Sequence, residues 1–294
     1  MLGVGPGALP SDAFMMGIDP AKQRDMMEES LEAILQLLAG ETVTMQTDWF
    51  TLSKARLHLK PYTRPFPEVA VAAQVSPAGP RAAGRFGCSM LSIGATSEGG
   101  FDVLGNHWQV VEERAAEFGT TVDRNTWRLV GPMHIAETKE QAIADVAFGL
   151  EDWVDYFQRV AALPLAPNAD GFESLVDALN ASGFAVIGTV DDAIAQIARL
   201  QKQSGGFGTF LFMGHEWADT EATRHSYELI ARYVMPEFQG SAKTLTASRD
   251  WAAENRPEFI SAAGNAIMSA IQKHHEEKAE KAKSGDEQAA PTHG

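Results

Sequence analysis

The chain has 294 residues, 45% hydrophobic and 21% charged, which suits one large globular α/β domain or two small ones. A formal net charge of −15 and a pI near 4.9 argue against nucleic acid and against anionic membrane surfaces as partners. A single cysteine, Cys88, leaves no intrachain disulfide and no thiolate zinc cluster; with no long apolar run and no basic leader, the expected setting is cytoplasmic with no membrane span.

The chain opens in mid-strand. Residues 2–4 read as the end of a buried strand entering the turn Gly5-Pro6-Gly7, so either the true start lies upstream or the first elements are lacking. A helix opens at Asp19 or Pro20 and carries Met27, Leu31, Ile34, Leu35 and Leu38 on one face up to Gly40. Residues 43–59 alternate enough to suggest a hairpin. Behind Pro67, the run Val69-Ala70-Val71-Ala72-Ala73 lacks polar alternation and reads as a strand covered on both faces. Ser76 is placed to cap, and Pro77 to open, a short helix over 78–86. Such a junction presents free backbone N–H groups and a positive helix end, which suits a phosphate. Read alone, it favours an ordinary β-to-α turn of the kind that recurs in every α/β barrel.

Further strands are expected at 90–94, 127–136, 184–187 and 207–213. Helices are expected over 101–118, over 138–163 behind the cap Thr138, over 172–180, over 190–203 behind the cap Thr189, and over 219–238. Residues 164–171 read as a loop. Residues 247–282 are helical in pattern, with Trp251, Phe259, Ile260, Ile267 and Ile271 apolar; the remaining tail reads as frayed or disordered. The alternation of buried strands and helices indicates an α/β protein with parallel strands, a (β/α)8 TIM barrel in part, over 1–240, followed by a C-terminal helical extension and tail over 241–294. No G-x-G-x-x-G opens a helix after a strand, so a dinucleotide fingerprint is absent.

The histidines make no metal-ligand spacing, and no metal is expected. His215 follows the last strand, where barrel enzymes place reacting groups; the alternative is a loop histidine bonded locally. Cys88 reads as packing, and no nucleophile elbow or P-loop is present. Arg24, on the first long helix, reads alone as a surface arginine paired with Glu28 one turn on. Beside a capped helix it would instead complete a phosphate clamp.

Four stretches carry a family resemblance: GVGPGALPSDAFMMGIDPAKQR, VAAQVSPAGPRAAGRFG, GFAVIGTVDDAIAQIARLQKQSGGFGTFLFMGHEWAD and YELIARYVMPEF. Through them, residues 2–238 resemble the bacterial-luciferase-like family of flavin-dependent monooxygenases, in its limonene 1,2-monooxygenase branch. The resemblance implies a luciferase-like (β/α)8 TIM barrel from which the first three strand–helix units, roughly 100 residues at barrel-typical lengths, are missing. It implies reduced FMN delivered by a separate flavin reductase, O2 as co-substrate, and insertion of one oxygen atom into an apolar small molecule such as a limonene-like alkene. Arg24 and Ser76, with the backbone of Val75, Ala78 and Gly79, would hold the flavin phosphate; Pro6 stands where the luciferase branch has another phosphate-binding arginine. His215 and Trp217 would line the substrate side. No catalytic residue follows from the resemblance, because the family's histidines near the reacting carbon belong to the missing units. Two other readings stand beside it: a deazaflavin (F420)-dependent oxidoreductase on the same barrel, and a truncated, inactive barrel or partner subunit. A homodimer is compatible with each.

Overall fold

The computed structural model describes residues 1–163, 169–241 and 243–287, with only the backbone described at 282–287. It divides into two units, Met1–Met235 and Pro236–Gly294.

The first unit begins with strand β1 (Leu2–Val4), helices α1 (Pro10–Met16) and α2 (Gln23–Ala39), and the antiparallel hairpin β2 (Val43–Gln46) and β3 (Thr51–Ala55). Strand–helix units follow: β4 (Val69–Ala73) and α3 (Ala78–Phe86), then β5 (Ser89–Ser92) with α4 (Glu98–Asp102) and α5 (Leu104–Phe118). Next come β6 (Arg128–Gly131), β7 (Met133–Ile135), α6 (Lys139–Val146), α7 (Leu150–Asp155) and α8 (Phe172–Ser182). The unit closes with β8 (Val186–Gly188), α9 (Val190–Ser204), β9 (Thr209–Phe212) and α10 (Thr220–Leu229). Five strands form one parallel sheet in the order β1-β4-β5-β6-β9, and β7 pairs in parallel with β8. This is an arc of the expected β/α barrel, with β1 and β9 as its edges. All strands of the arc point the same way, so their C-terminal ends gather on one side, where such folds bind ligands.

Strand β4 is buried on both faces: Val69, Ala70, Val71 and Ala73 are all in the core, as their unbroken apolar run requires. One core cluster gathers Met27, Leu31, Val71, Met90, Leu104, Trp108, Trp127 and Leu129 under α2, α3 and α5. Within it the Trp108 and Trp127 rings stack at 5.3 Å, and Trp127 Nε1 donates to the buried Ser92 hydroxyl at 2.9 Å. A second cluster, around β8, contains Val146, Leu150, Leu179, Ile187 and Trp217.

Several expected elements are divided. The strand over 127–136 is interrupted at Pro132, which has no N–H for the ladder, so β6 pairs with β9 while β7 turns to β8. The helix over 101–118 breaks at Val103 into α4 and α5. The helix over 138–163 becomes α6, α7 and a wide turn of π-helix at Tyr156–Val160; Thr138 does cap it, accepting from Gln141 N. The break after α6 has a tertiary cause, since Gly149 N donates to Trp217 O at 3.0 Å. The helix expected from residue 19 or 20 starts at Gln23, and α1 was not expected. Of the expected loop 164–171, residues 164–168 lie outside the described residues. In the second unit, α11 (Lys243–Glu254) and α12 (Arg256–Glu287) are helical, so helix persists beyond 282 where fraying was expected; residues 288–294 lie outside the described residues. Among the described residues no helix is long and apolar enough to cross a membrane.

The N-terminal end of the sheet is closed by a polar tie. Arg128 of β6 donates to both Glu68 carboxylate oxygens, at 2.6 and 3.0 Å, and Ser89 of β5 donates to the same carboxylate at 2.5 Å. The Arg128 hydrogen bonds, foremost, hold the Glu68 carboxyl below its ordinary range. A depressed carboxylate contributes stability above its unfolded pKa and loses it as pH falls through the folded one. Arg128→Leu should therefore lower stability by about 1–2 kcal/mol at neutral pH. The difference from wild type should shrink below about pH 4, read by urea unfolding across pH; an undiminished difference in acid would contradict the assignment.

Candidate functional site

A cavity of about 380 Å³ opens at the C-terminal ends of β1, β4 and β5. Its walls are the turn Gly5–Ala8 after β1, Gln74 and Ser76 after β4, Ala78 and Gly79 of α3, Arg24 and Met27 of α2, and Ile93 after β5. Four residues singled out by the sequence, Arg24, Ser76, Ala78 and Gly79, thus meet around one hollow. Ile93 and the Gln74 side chain were not singled out, since nothing in their residue types distinguishes them from ordinary loop. Pro6 lies in the wall and brings no charge.

The local chain explains why these groups are unused by the protein. Helix α3 bears the small sequence Ala78-Gly79-Pro80, and Gly79 is buried. A Cβ on Gly79 would meet the Ala72 carbonyl oxygen at 2.5 Å, so only glycine lets the helix start this close to β4. Ser76 does not cap the helix as expected. Pro77 is the cap residue, already in right-handed helical conformation, and its carbonyl accepts from Arg81 N at 2.9 Å. The Ser76 hydroxyl is left to the hollow, and no side chain caps the first turn. The N–H groups of Ser76, Ala78 and Gly79 make no hydrogen bond among the described residues. No acidic residue stands in the first turn of α3, and no carboxylate lines the cavity.

Arg24 is likewise uncommitted. Glu28, its expected partner, instead accepts from Arg85 Nη1 at 3.0 Å, while Arg85 Nη2 reaches Glu32 at 3.1 Å. Among the described residues Arg24 has no hydrogen bond and no ion pair. Val75 is different from its neighbours: its side chain is exposed and lies outside the cavity wall, while its carbonyl turns inward to accept from His107 Nε2 at 3.1 Å.

His215 and Trp217 are not brought to this hollow. Trp217 is fully buried in the second core, edge-on to Trp153 at 5.3 Å. The His215 ring stacks on Trp217 at 4.0 Å. Its Nε2 donates to the Met133 carbonyl at 3.0 Å, and its Nδ1 accepts from Trp217 N at 3.4 Å. Both ring nitrogens are therefore occupied, as in the local reading of this histidine. Among the described residues no three His, Cys, Asp or Glu side chains gather as a metal site would need.

A parallel β/α arc with helices between its strands defines an α/β protein of the barrel class. The chain belongs to the luciferase-like monooxygenase family, whose sequence model matches residues 1–206. It is 51% identical over 241 residues to limonene 1,2-monooxygenase of Rhodococcus erythropolis, covering 82% of this chain and 61% of that protein. It is 40% identical to 4-hydroxyprotoasukamycin monooxygenase of Streptomyces nodosus subsp. asukaensis, covering 86% and 69%. Among solved structures, it is similar to the oxygenating constituent of 3,6-diketocamphane monooxygenase from Pseudomonas putida in complex with FMN, a type II Baeyer–Villiger monooxygenase. That match has a TM-score of 0.59 and 26% identity, covering 80% of this chain and 70% of the other.

Burial pushes the His215 imidazole down to about 4 from its ordinary 6.5. The unfolded chain therefore binds this proton more readily than the folded one, and stability must fall as pH drops through that window. The expected loss is up to about 1.4 kcal/mol per pH unit, and His215→Gln should flatten this slope although it destabilises at neutral pH. Unfolding free energies at several pH values check this; an equal slope in the variant would refute the assignment to His215.

Proposed function

We propose that this chain binds the phosphate end of FMN in the cavity beside Arg24 and Ser76, as part of a flavin-dependent monooxygenase acting on an apolar small molecule. The observation that carries the reading is the convergence of an unpaired guanidinium, a free serine hydroxyl and unbonded backbone N–H groups on one hollow without a carboxylate. A phosphate monoester matches that set: its oxygens only accept, and the groups present only donate or can donate. The helix end adds a favourable field. Met27, Ile93, Ala72 and Ala73 supply apolar wall for the part of the ligand next to the phosphate.

Bound in reduced form, FMN would supply the two electrons that activate O2, one oxygen atom of which goes to the substrate and the other to water. The residues of this chain anchor and orient it, and exclude water along the apolar wall. The FMN complex of the Pseudomonas putida relative and the name of the Rhodococcus relative support this reading and, within it, a limonene-like alkene as substrate class. We extend it to reduced flavin delivered by a separate reductase in the cytoplasm, a setting that suits a chain with one buried cysteine.

Fluorescence titration with FMN, riboflavin and a deazaflavin cofactor tests the reading directly. FMN should bind more tightly than riboflavin, and Arg24→Ala should weaken FMN about tenfold while leaving riboflavin unchanged. Equal affinity for FMN and riboflavin would remove the phosphate assignment; preference for the deazaflavin would move the chain to hydride rather than oxygen transfer.

A further inference from the structure

We infer that His107 is the positioning residue of the phosphate turn, fixing the peptide plane between Val75 and Ser76 so that the Ser76 N–H is presented away from the core. The inference rests on the phosphate reading of the cavity and adds to it a residue outside the cavity wall. His107 sits on α5, one turn from its start, and is 1% exposed. Its Nε2 lies 3.1 Å from the Val75 carbonyl oxygen. A carbonyl only accepts, so Nε2 carries the proton. No other donor reaches that carbonyl among the described residues.

The geometry of the peptide does the rest. Among the described residues the one cis bond is Arg64–Pro65, so the Val75–Ser76 peptide is trans. In a planar trans peptide the C=O and N–H point in opposite directions. Drawing the Val75 oxygen toward α5 therefore turns the Ser76 N–H away from it, and that N–H has no partner among the described residues. Residue 75 is thus tied through its carbonyl, directly before the residue that lines the hollow.

The other ring nitrogen argues that this bond is why a histidine stands here. His107 Nδ1 is buried without a partner. An unpaired buried acceptor is costly, and an apolar side chain of similar size would avoid that cost. What an apolar residue could not supply is the Nε2–H donor. Burial also lowers the His107 pKa, opposed by the bond to Val75, which keeps the ring neutral.

The test compares FMN and riboflavin affinities of wild type, His107→Leu and His107→Gln, all on the full chain. Leucine removes the donor; glutamine returns an N–H at the position of Nε2. Expected are an approximately tenfold loss of FMN affinity in His107→Leu with riboflavin unchanged, and recovery of the FMN preference in His107→Gln. A merely structural role would lower the melting temperature but leave the FMN-to-riboflavin ratio at its wild-type value, and that result overturns the inference. So does a glutamine variant as impaired as the leucine one. Should His107→Leu fail to fold, ring ¹⁵N spectra of wild type decide. The His107 signals should move with saturating FMN and not with riboflavin, and signals indifferent to both overturn the inference. If wild type itself shows no preference for FMN, the phosphate reading falls first and leaves His107 nothing to position.

Discussion

The contact on which the site depends is the approach of helix α3 to strand β4 and helix α5. It is made possible by two glycines. A side chain on Gly79 would strike the Ala72 carbonyl, and one on Gly84 would strike the Val111 carbonyl of α5. Between them, Pro80, Ala82 and Ala83 are buried with almost no side-chain thickness. Close packing of this kind holds backbone against backbone and tolerates little displacement. The start of α3 is therefore fixed relative to the end of β4, and its bare amides are fixed relative to the loop between them. Any ligand that uses those amides meets a preformed surface, and little ordering cost falls on the protein.

The same sheet treats its two ends oppositely. At the N-terminal end, Glu68, Ser89 and Arg128 satisfy one another across β5 and β6 and the strand entry into β4. At the C-terminal end, Ser76, the N–H groups of Ala78 and Gly79, and the exposed Arg24 have no partners among the described residues. Buried or half-buried polar groups are ordinarily paired, so the unbonded donors at Ser76, Ala78 and Gly79 are a cost the fold carries. Here that cost is confined to one edge, where parallel strands and helix N-termini converge. The polarity of the sheet thus decides where binding is possible, before any particular side chain is considered.

Much of this was legible in the chain. The unbroken apolar run of β4, the extent of α3, the hairpin of β2 and β3, and the caps Thr138 and Thr189 all follow from local chemistry. What local chemistry misjudged was decided by tertiary contact. Ser76 has the right type for a cap, but Pro77 enters the helical conformation first and the hydroxyl is released. Gly149 ends α6 because its N–H is claimed by Trp217, far along the chain. Glu28 is a plausible partner for Arg24 until α3 brings Arg85 to it. His107 carried no sequence signal at all, because its acceptor lies 32 residues away.

His215 and Arg24 show why position and availability must be argued separately. Both stand beyond the C-terminal end of a strand, where barrel proteins place ligand-binding groups. His215 is the more reactive type, yet its two nitrogens are spent on Met133 and on Trp217, its ring is stacked, and burial keeps it neutral. A side chain so engaged can lend a ligand no hydrogen bond without first breaking one of its own. Arg24 is the plainer residue, exposed and without a partner, and its charge persists at any pH the protein meets. The free energy of meeting an anion is therefore retained at Arg24 and already consumed at His215, which supports the proposed site at the α3 end of the sheet over one at His215.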